Sequence, residues 1–378
     1  MREYELIKRL SKLYNVFLFV VTNTYPEDFK NVIVLKEYCA NIKVFPGIDI
    51  NSENNDYIKY KENYPDKIIR VISDEAKTYL DHLIENKLVD LIHLESFYMK
   101  YYVSEKSEIP IVLATQNIEF DLLRQEINYY PQNQQTLEKQ YNLLKKYEIE
   151  AWKFADMCIA LTKYDRNLMS QYIDDKKIQV ITNGFDHFQA SHHSDFEDLK
   201  QDDNSILITG NYQYKPNKDA VLHFCKNIFP NVQKAVPHVK LLIVGNQPTK
   251  EIKELEQNAG IEVIGNVESL SPYLKKCGIF ACPLRIGGGI KVKMLEALSH
   301  KCAIVTTEVG AQGLENTSPE GFLQAQNDSD FTSMAIALLQ NKNKRRQLQK
   351  NTQNILHNLA SWDESVKALS AAYESLIN

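Results

Sequence analysis

Three consecutive glycines, Gly287, Gly288 and Gly289, separate an apolar run that ends at Pro283 from a helical pattern that begins near Ile290. Glycine lets a backbone approach a ligand closely, and the free amides at the amino end of a helix favour an anion. The charged side chains in and after this turn are Arg285, Lys291, Lys293 and Glu296. The segment therefore predicts a diphosphate site, with a flexible turn that binds nothing as the structural alternative.

Outside this segment, few side chains have the type and spacing that catalysis or metal binding requires. His93 and Glu95 follow a predicted strand, at the end where open α/β sheets bind ligands, although a structural role is the alternative. His192 and His193 fall in a polar stretch and are predicted to be solvated. The six cysteines are scattered among apolar neighbours without a C-x-x-C pair, which predicts buried thiols. We therefore predict neither a metal site nor a cofactor.

Short apolar runs alternate with helical patterns along the chain, which favours parallel sheets covered by helices on both faces. In the first half we predict strands at residues 15–22, 42–45, 68–72, 91–94, 111–114, 157–161 and 178–181. In the second half we predict strands at residues 205–209, 239–244, 261–264, 279–283 and 303–306. The sequence thus predicts an α/β fold with two doubly wound, Rossmann-like domains.

The length of 378 residues agrees with two domains, since one domain usually has about 100 to 200 residues. A polar stretch without periodicity suggests a linker at 188–204, between a first domain at 1–187 and a second at 205–360. The last segment, 361–378, has the apolar stripe of a helix, which we expect to pack back on the first domain.

Composition and charge limit the classes of partner that the protein is expected to bind. A net charge of -5 and a pI near 6.0 do not favour nucleic acid, whose phosphates need a concentrated basic surface. Apolar runs such as residues 16–21 are far shorter than the roughly 20 residues that span a bilayer, and no signal peptide is evident, so we predict a cytoplasmic protein. Lysines around residues 143–153 leave peripheral membrane association open, although Glu148 and Glu150 weaken that interpretation.

The stretch from Pro283 to Glu315 closely resembles the donor-site segment of glycosyltransferase family 4, whose members are retaining enzymes of the GT-B fold. Residues 210–220 look like the first phosphate loop of that family, because they follow a strand and open a helix. The other segments similar to the family are residues 90–95, 115–119, 181–184, 242–246 and 263–267. The resemblance covers nearly the whole chain and implies two domains that face each other across a cleft.

The resemblance implies transfer of a sugar from a nucleotide-diphosphate sugar to a glycan or lipid-linked acceptor, with the leaving diphosphate helping to deprotonate the acceptor hydroxyl. The catalytic residues that it implies are Arg285, Lys291 and Lys293. The implied donor-binding residues are Gly210, Asn211, Asn217, Gly245, Gly265, Val267, Gly287, Gly288, Gly289, Ile290 and Glu296. The implied acceptor-side residues are His93, Glu95, Gln116, Asn117 and Glu119.

The chain departs from the family pattern at several positions. Glu296 matches the second of a frequent glutamate pair and should bind the donor ribose hydroxyls, but Gly288 occupies the first position. Asn211 and Asn217 stand where many members have Arg and Lys, so we expect the nearby cationic side chains to supply the missing charge. Gln116 replaces a histidine that is frequent at the acceptor side.

The family's opening strand and its glycine-bearing loop have no counterpart before the first helical pattern, which starts next to Met1. The loss of an internal strand would expose strand edges and apolar helix surface. We therefore expect a longer native product, with impaired activity as the alternative.

Three functions remain in order of preference. The first is a retaining glycosyltransferase, and the second is a catalytically silent subunit that binds a nucleotide sugar. The third is a sugar-nucleotide epimerase of the same fold, which would need a carboxylate pair that the sequence does not offer. The base, the sugar, the acceptor and the oligomeric state stay open, because loop shapes decide them.

Overall fold

Strands in both halves of the chain pair in parallel, since helices carry the chain back from the end of one strand to the start of the next. The structure is a computed structural model that describes residues 2–24, 27–50, 55–104, 107–130, 134–185, 201–314 and 321–377. The chain divides into two units, residues 1–183 with 361–378, and residues 184–360. Each unit has the predicted α/β architecture.

The first unit contains two parallel sheets. β1 (Phe17–Thr22) pairs with β2 (Asn41–Pro46) in a sheet of two strands. The second sheet has its four strands in chain order, β3 (Ile92–Leu94), β4 (Ile111–Thr115), β5 (Met157–Ala160) and β6 (Ile178–Val180). Every residue of β4 and β5 is buried, as expected for central strands covered on both faces.

Helices surround these strands, and a 3₁₀ segment at Phe97–Tyr102 follows β3. The described helices before the second unit are α1 (Arg2–Leu10), α2 (Glu27–Val32), α3 (Asn55–Tyr60), α4 (Asp66–Ile69), α5 (Asp74–Glu85), α6 (Glu119–Tyr129), α7 (Gln134–Phe154) and α8 (Lys163–Met169).

The second unit has one parallel sheet of six strands in the order β12-β11-β10-β7-β8-β9. These strands are β7 (Asp202–Asn211), β8 (Lys240–Asn246), β9 (Ile261–Gly265), β10 (Cys277–Cys282), β11 (Ile304–Thr307) and β12 (Leu323–Ala325). Its described helices are α9 (Lys215–His223), α10 (Phe229–Ala235), α11 (Lys250–Lys253), α12 (Ser271–Lys276), α13 (Val292–Ser299), α14 (Glu308–Ala311), α15 (Asp328–Gln340) and α16 (Lys342–His357).

The last helix, α17 (Trp362–Ile377), belongs to the first unit. Its buried stripe, which includes Leu369, packs with Leu6 of α1 onto Val112 and Ile159 of the four-stranded sheet. Among the described residues, no helix combines the length and the apolar character that a bilayer-spanning segment needs.

Several elements differ from the sequence-based expectation. The predicted strand at 68–72 is wrong, because Ile68 and Ile69 lie in α4 and are buried with Ile72 at helical spacing. β12 was not predicted, since its three residues carry little apolar pattern. The predicted linker lies outside the described residues up to residue 200, and Asp202–Asn204 lie in β7. His192 and His193 also lie outside the described residues.

We expect Leu369→Ala to lower the free energy of unfolding by about 2–5 kcal/mol, because the side chain is fully buried and its removal leaves a cavity. Lys367→Ala, on the exposed face of the same helix, should change it by at most about 0.5 kcal/mol. Urea denaturation measures both. Equal effects would show that α17 does not pack on the sheet as described.

Candidate functional site

Three of the glycines singled out above lie side by side across the second sheet. Gly210, Gly245 and Gly265 are the last or penultimate residues of neighbouring strands and are cross-strand partners in the register of β7, β8 and β9. A Cβ atom on Gly245 would lie 1.9 Å from the carbonyl oxygen of Gly210, so only glycine fits this approach. The loops that follow these strands therefore leave the sheet at one edge, where ligands bind in open α/β sheets.

The triple-glycine turn leaves the sheet at the same edge. It follows β10, which pairs with β7 so that Phe280 lies opposite Leu207. Gly289 adopts φ 61°, a left-handed conformation that favours glycine. The helix then begins at Val292, two residues later than predicted, because Lys291 and Ile290 are still part of the turn. The amide groups of this turn and the amino end of α13 are thus close to the ends of β7 and β10.

The ammonium group of Lys291 lies within the turn. Its Nζ donates hydrogen bonds to the carbonyl oxygens of Gly288 at 2.9 Å and Gly289 at 2.7 Å, and to Oε1 of Gln312 at 3.1 Å. In this structure Lys291 therefore holds the conformation of the glycine turn and keeps its charge beside it.

Lys293 reaches from α13 to the first phosphate loop predicted from the sequence. Its Nζ donates to the carbonyl oxygen of Thr209 and to Oδ1 of Asn217, both at 2.7 Å. Asn217 in turn donates from Nδ2 to the carbonyl oxygen of Asn211 at 2.9 Å. Burial lowers the pKa of Lys293. A lysine from another helix thus contacts Asn217, the position where the resemblance implies a cationic side chain.

Arg285 is engaged differently from the expectation that it adds free charge for a diphosphate. Its guanidinium binds the buried carboxylate of Asp219 in α9 with two hydrogen bonds, of 3.0 Å to Oδ2 and 2.5 Å to Oδ1. This bidentate pair fixes the segment after β10 against α9. Asp219 was not identified from the sequence, because the two partners are 66 positions apart.

Glu296 occupies the second turn of α13, three residues after Lys293, and is half-buried. Among the described residues its carboxylate has no hydrogen-bond or ion-pair partner, and burial raises its pKa. A half-buried carboxylate of this kind offers two acceptor oxygens to ligand hydroxyl groups. Ile290 and Val267 are partly buried against the apolar cluster that covers this side of the sheet.

In the first unit, His93 and Glu95 come together with residues of α1 and α17. His93 contacts the Tyr373 hydroxyl through Nδ1 at 2.6 Å, and its Nε2 lies 3.3 Å from Oε1 of Glu95. Arg2 Nε lies 3.8 Å from Oε2 of the same carboxylate. Burial of Glu95 raises its pKa, but the hydrogen bond and charge of His93 and the charge of Arg2 outweigh it and lower the pKa to about 2.

Gln116 and Asn117 lie in the turn between β4 and α6, and Glu119 is the first residue of α6. Gln116 donates to Oε1 of Glu3 at 2.6 Å, and Glu119 pairs with Lys67 at 2.6 Å. The structure also places Gln116 next to Glu95. The Glu119 carboxylate instead faces Lys67. Asn117 is half-buried on the same turn.

The turn before α6 is held by the carboxylate of Glu148, which the sequence analysis considered only as a charge that weakens membrane association. Glu148 of α7 is fully buried and accepts the backbone amides of Glu119 at 3.1 Å and Phe120 at 3.0 Å. It thereby caps two free amides of α6. Burial raises its pKa to about 8, although the two amide hydrogen bonds oppose the shift.

Within the described ranges, no group of three His, Cys, Asp or Glu side chains is arranged to hold a metal ion. All six cysteines are free thiols, and Cys158, Cys277, Cys282 and Cys302 are buried.

We expect Arg285→Ala to cost up to about 3 kcal/mol of stability, because it removes the bidentate partner of the buried Asp219 carboxylate. Asp219→Asn combined with Arg285→Ala should cost less than the sum of the single changes, since the two side chains interact. Urea denaturation of the three variants and the wild type measures this coupling. Strict additivity would contradict the ion pair.

The carboxyl of Glu148 predicts a pH dependence of stability. Its pKa is about 8 in the folded chain and about 4.5 when unfolded, so the folded state binds more protons between these values. The stability that it contributes is complete below about pH 4.5 and is lost as the pH rises to about 8, with a slope of at most roughly 1.4 kcal/mol per pH unit.

Glu148→Gln should therefore flatten the decline of stability between pH 5 and pH 8, measured by urea denaturation at each pH. Glu150→Gln is the matched control, because Glu150 is exposed two residues further along the same helix. It should keep the wild-type slope. A wild-type slope in the Glu148 variant would rule out this titration.

Comparison with known families gives a match in the second unit. Residues 203–341 match the family model described as Glycosyl transferases group 1. This range begins in β7, includes the glycine turn and α13, and ends just before α16. The matched region therefore contains the whole described edge of the second sheet.

Two curated proteins and one solved structure are similar to longer parts of the chain. An uncharacterized 44.6 kDa protein in the cps region of Klebsiella pneumoniae is 23% identical over 333 residues, which cover 83% of this chain and 80% of that protein. The amylovoran biosynthesis glycosyltransferase AmsD of Erwinia amylovora is 22% identical over 214 residues, or 54% of this chain and 58% of AmsD.

The crystal structure of Anabaena HepE in complex with UDP and glucose has a TM-score of 0.63 and 13% identity, and the match covers 98% of this chain and 94% of that chain. At this identity the likeness shows the fold, which is GT-B. Together with the family match, these findings show that the chain has the GT-B fold and is a glycosyltransferase with a group 1 domain.

Proposed function

We propose that this glycosyltransferase takes its sugar from a nucleotide-diphosphate sugar bound at the described edge of the second sheet. The single observation that carries this proposal is the convergence of four loops at that edge. They follow Gly210, Gly245 and Gly265 and the β10 strand, and Lys293 links two of them. Backbone amides, a helix amino end and a buried cation form an anion site of the kind that a diphosphate needs.

Each side chain then has a distinct task in the proposed site. The amides of Gly288 and Gly289 bind diphosphate oxygens, and Glu296 accepts the ribose hydroxyls. Lys293 neutralises charge on the diphosphate, because its ammonium donates to the carbonyl oxygen of Thr209 near the end of β7. Arg285 acts as a positioning residue, since its guanidinium is engaged by Asp219.

We further propose that transfer retains the configuration of the sugar. The bond between the anomeric carbon and the leaving diphosphate oxygen breaks, and the acceptor oxygen bonds to that carbon on the same face. The acceptor proton passes to the departing diphosphate, so no protein nucleophile is needed. The contribution of the chain is to stabilise the charge that develops on the diphosphate. Neither a metal ion nor another cofactor is part of this proposal.

For the acceptor we propose a hydroxyl of a growing polysaccharide or of a lipid-linked glycan. This rests on the relatives, since AmsD is named for amylovoran biosynthesis and the Klebsiella protein for a cps region. His93, Glu95 and Gln116 would contact the acceptor at the edge of the four-stranded sheet. A cytoplasmic location stays a prediction from the sequence.

A catalytically silent, nucleotide-sugar-binding subunit is the second candidate. The observation that favours it is the turn itself, where Gly288 offers no side chain for the sugar and Arg285 is paired with Asp219. Such a subunit would bind the nucleotide sugar without turning it over.

We expect Glu296→Ala to weaken binding of the preferred nucleotide sugar by about 10- to 100-fold, because a charge-assisted hydrogen bond is worth about 1.5–3 kcal/mol. The measurement is a thermal-shift and calorimetric panel of UDP, GDP and ADP with their common sugars. Glu254→Ala is the control, since Glu254 is exposed in the same unit, and it should bind as the wild type does.

Turnover separates the two candidates. Release of nucleoside diphosphate from the preferred donor, in the presence of lipid-linked or glycan acceptors, supports the transferase. Binding that depends on Glu296 without any release under these conditions favours the silent subunit. A chain that is folded and binds none of the nucleotides would contradict the proposed donor site.

A further inference from the structure

The segment that follows β11, residues 307–314, packs on both ends of the glycine turn, and we call it the corner segment. Before the turn, the hydroxyl group of Thr307 donates a hydrogen bond to the carbonyl oxygen of Leu284. After the three glycines, a Cβ atom on Gly313 would overlap Cγ1 of Ile290, and Gly313 adopts φ 86°. Only glycine therefore fits where the corner segment meets Ile290. The glycine turn is thus held at two points by a later part of the chain.

Gln312 of the corner segment contacts the middle of the turn through Lys291. Its Oε1 accepts a hydrogen bond from Lys291 Nζ at 3.1 Å, and the same ammonium group donates to the carbonyl oxygens of Gly288 and Gly289. An ammonium group has three N–H donors, and these three oxygens supply one acceptor for each of them. Gln312 therefore holds Lys291 in the position from which it fixes the direction of the two carbonyl groups.

The direction of these carbonyl groups decides where the amides of the turn point. A peptide bond is planar and trans, so its C=O and its N–H point in opposite directions. The carbonyl of Gly288 belongs to the same peptide as the amide of Gly289, and the carbonyl of Gly289 belongs to the same peptide as the amide of Ile290. Since both carbonyls point toward the Lys291 ammonium, both amides point away from it.

The two amides that are oriented in this way lack a partner. Among the described residues, neither the amide of Gly289 nor that of Ile290 donates a hydrogen bond. Gly289 is buried, and a buried amide without an acceptor costs free energy. The next helix begins at Val292, so its first amides also have no acceptor within the helix. Successive amides without partners form a site for the oxygens of an anion.

The neutral side chain at position 312 suits this arrangement. The amide oxygen of Gln312 accepts a hydrogen bond from the Lys291 ammonium without cancelling its charge, whereas a carboxylate there would form an ion pair with it. A cation on the carbonyl side of a peptide polarises that peptide and strengthens its N–H group as a donor. Gln312 thus fixes the position of the cation and leaves its effect on the amides of the turn intact.

We propose that Gln312 is a positioning residue for the donor, because it holds Lys291 against the carbonyls of the glycine turn and so aims the amides of Gly289 and Ile290 at the diphosphate. Lys291 accordingly acts on the turn and does not bind the diphosphate itself. This inference rests on the proposed donor site and adds the means by which its glycine turn is ordered before the ligand binds. A turn that is ordered in advance loses less entropy on binding.

The test is NMR on the full chain with inorganic pyrophosphate, which has the diphosphate without a base. Labelling glycine with ¹³C at its carbonyl and with ¹⁵N selects amides that follow a glycine, which in this sequence are those of Gly288 and Gly289. Gly287→Ala removes the Gly288 signal and so identifies that of Gly289. Gln312→Met keeps the length of the side chain but lacks the amide oxygen, and Gln312→Glu keeps an acceptor. Gln257→Met is the matched control, since Gln257 is exposed in the same unit.

In the wild type, we expect pyrophosphate to shift the Gly289 signal until the site is saturated. In Gln312→Met the signal should move or broaden without any ligand, and the Kd for pyrophosphate should rise about 3- to 10-fold, because binding must then order the turn. Gln312→Glu should restore the ligand-free signal, since its carboxylate accepts from the same ammonium, while its negative charge still weakens binding. Gln257→Met should match the wild type in both measurements.

A wild-type Kd in Gln312→Met would overturn the inference, whether or not the Gly289 signal had changed. Tighter binding in that variant would also overturn it, because Gln312 would then restrain the charge of Lys291 instead of ordering the turn. Failure of the proposed donor site has a different signature. The wild-type signal would not respond to pyrophosphate, although Gln312→Met still changed it, and the contact of Gln312 with Lys291 would serve the fold alone.

Discussion

The parallel pairing of strands is the constraint on which the rest of the molecule depends. Since every strand in a parallel sheet runs the same way, all loops that leave carboxyl ends meet at one edge. In the second unit this brings together residues that are far apart in sequence, such as Gly210, Gly265 and the turn at 287–289. The proposed diphosphate site draws on four loops at this edge rather than on one. The register of β7 to β10 is therefore as important for the site as the identity of its side chains.

The polar groups buried near the edge of the second sheet and near the turn before α6 have a common role. Lys293 connects α13 to the end of β7, Arg285 connects the segment after β10 to α9 through Asp219, and Glu148 caps α6 from α7. Burying a polar or charged group is costly unless it is paired or hydrogen-bonded, and each of these groups makes at least two hydrogen bonds. The contacts of these buried groups hold loops that would otherwise have several conformations. A rigid edge loses less entropy when it binds a ligand.

Local patterns in the sequence were enough to predict most strands and the place of the glycine turn, because apolar runs and glycines act over a few residues. They failed at 68–72, where a short apolar run fits a helix as well as a strand. They also failed for Asp219 and Glu148, because a buried carboxylate is recognised only by its distant partner. The engagement of Arg285 was missed for the same reason. Sequence reasoning thus located the loops of the candidate site but not the contacts that hold them.

In the first unit, several elements hold the polar groups at the end of β3. His93 contacts Tyr373 of α17 and Glu95. Arg2 and Glu3 of α1 reach the same cluster through Glu95 and Gln116. The arrangement of the proposed acceptor side therefore depends on how α1 and α17 pack on the four-stranded sheet.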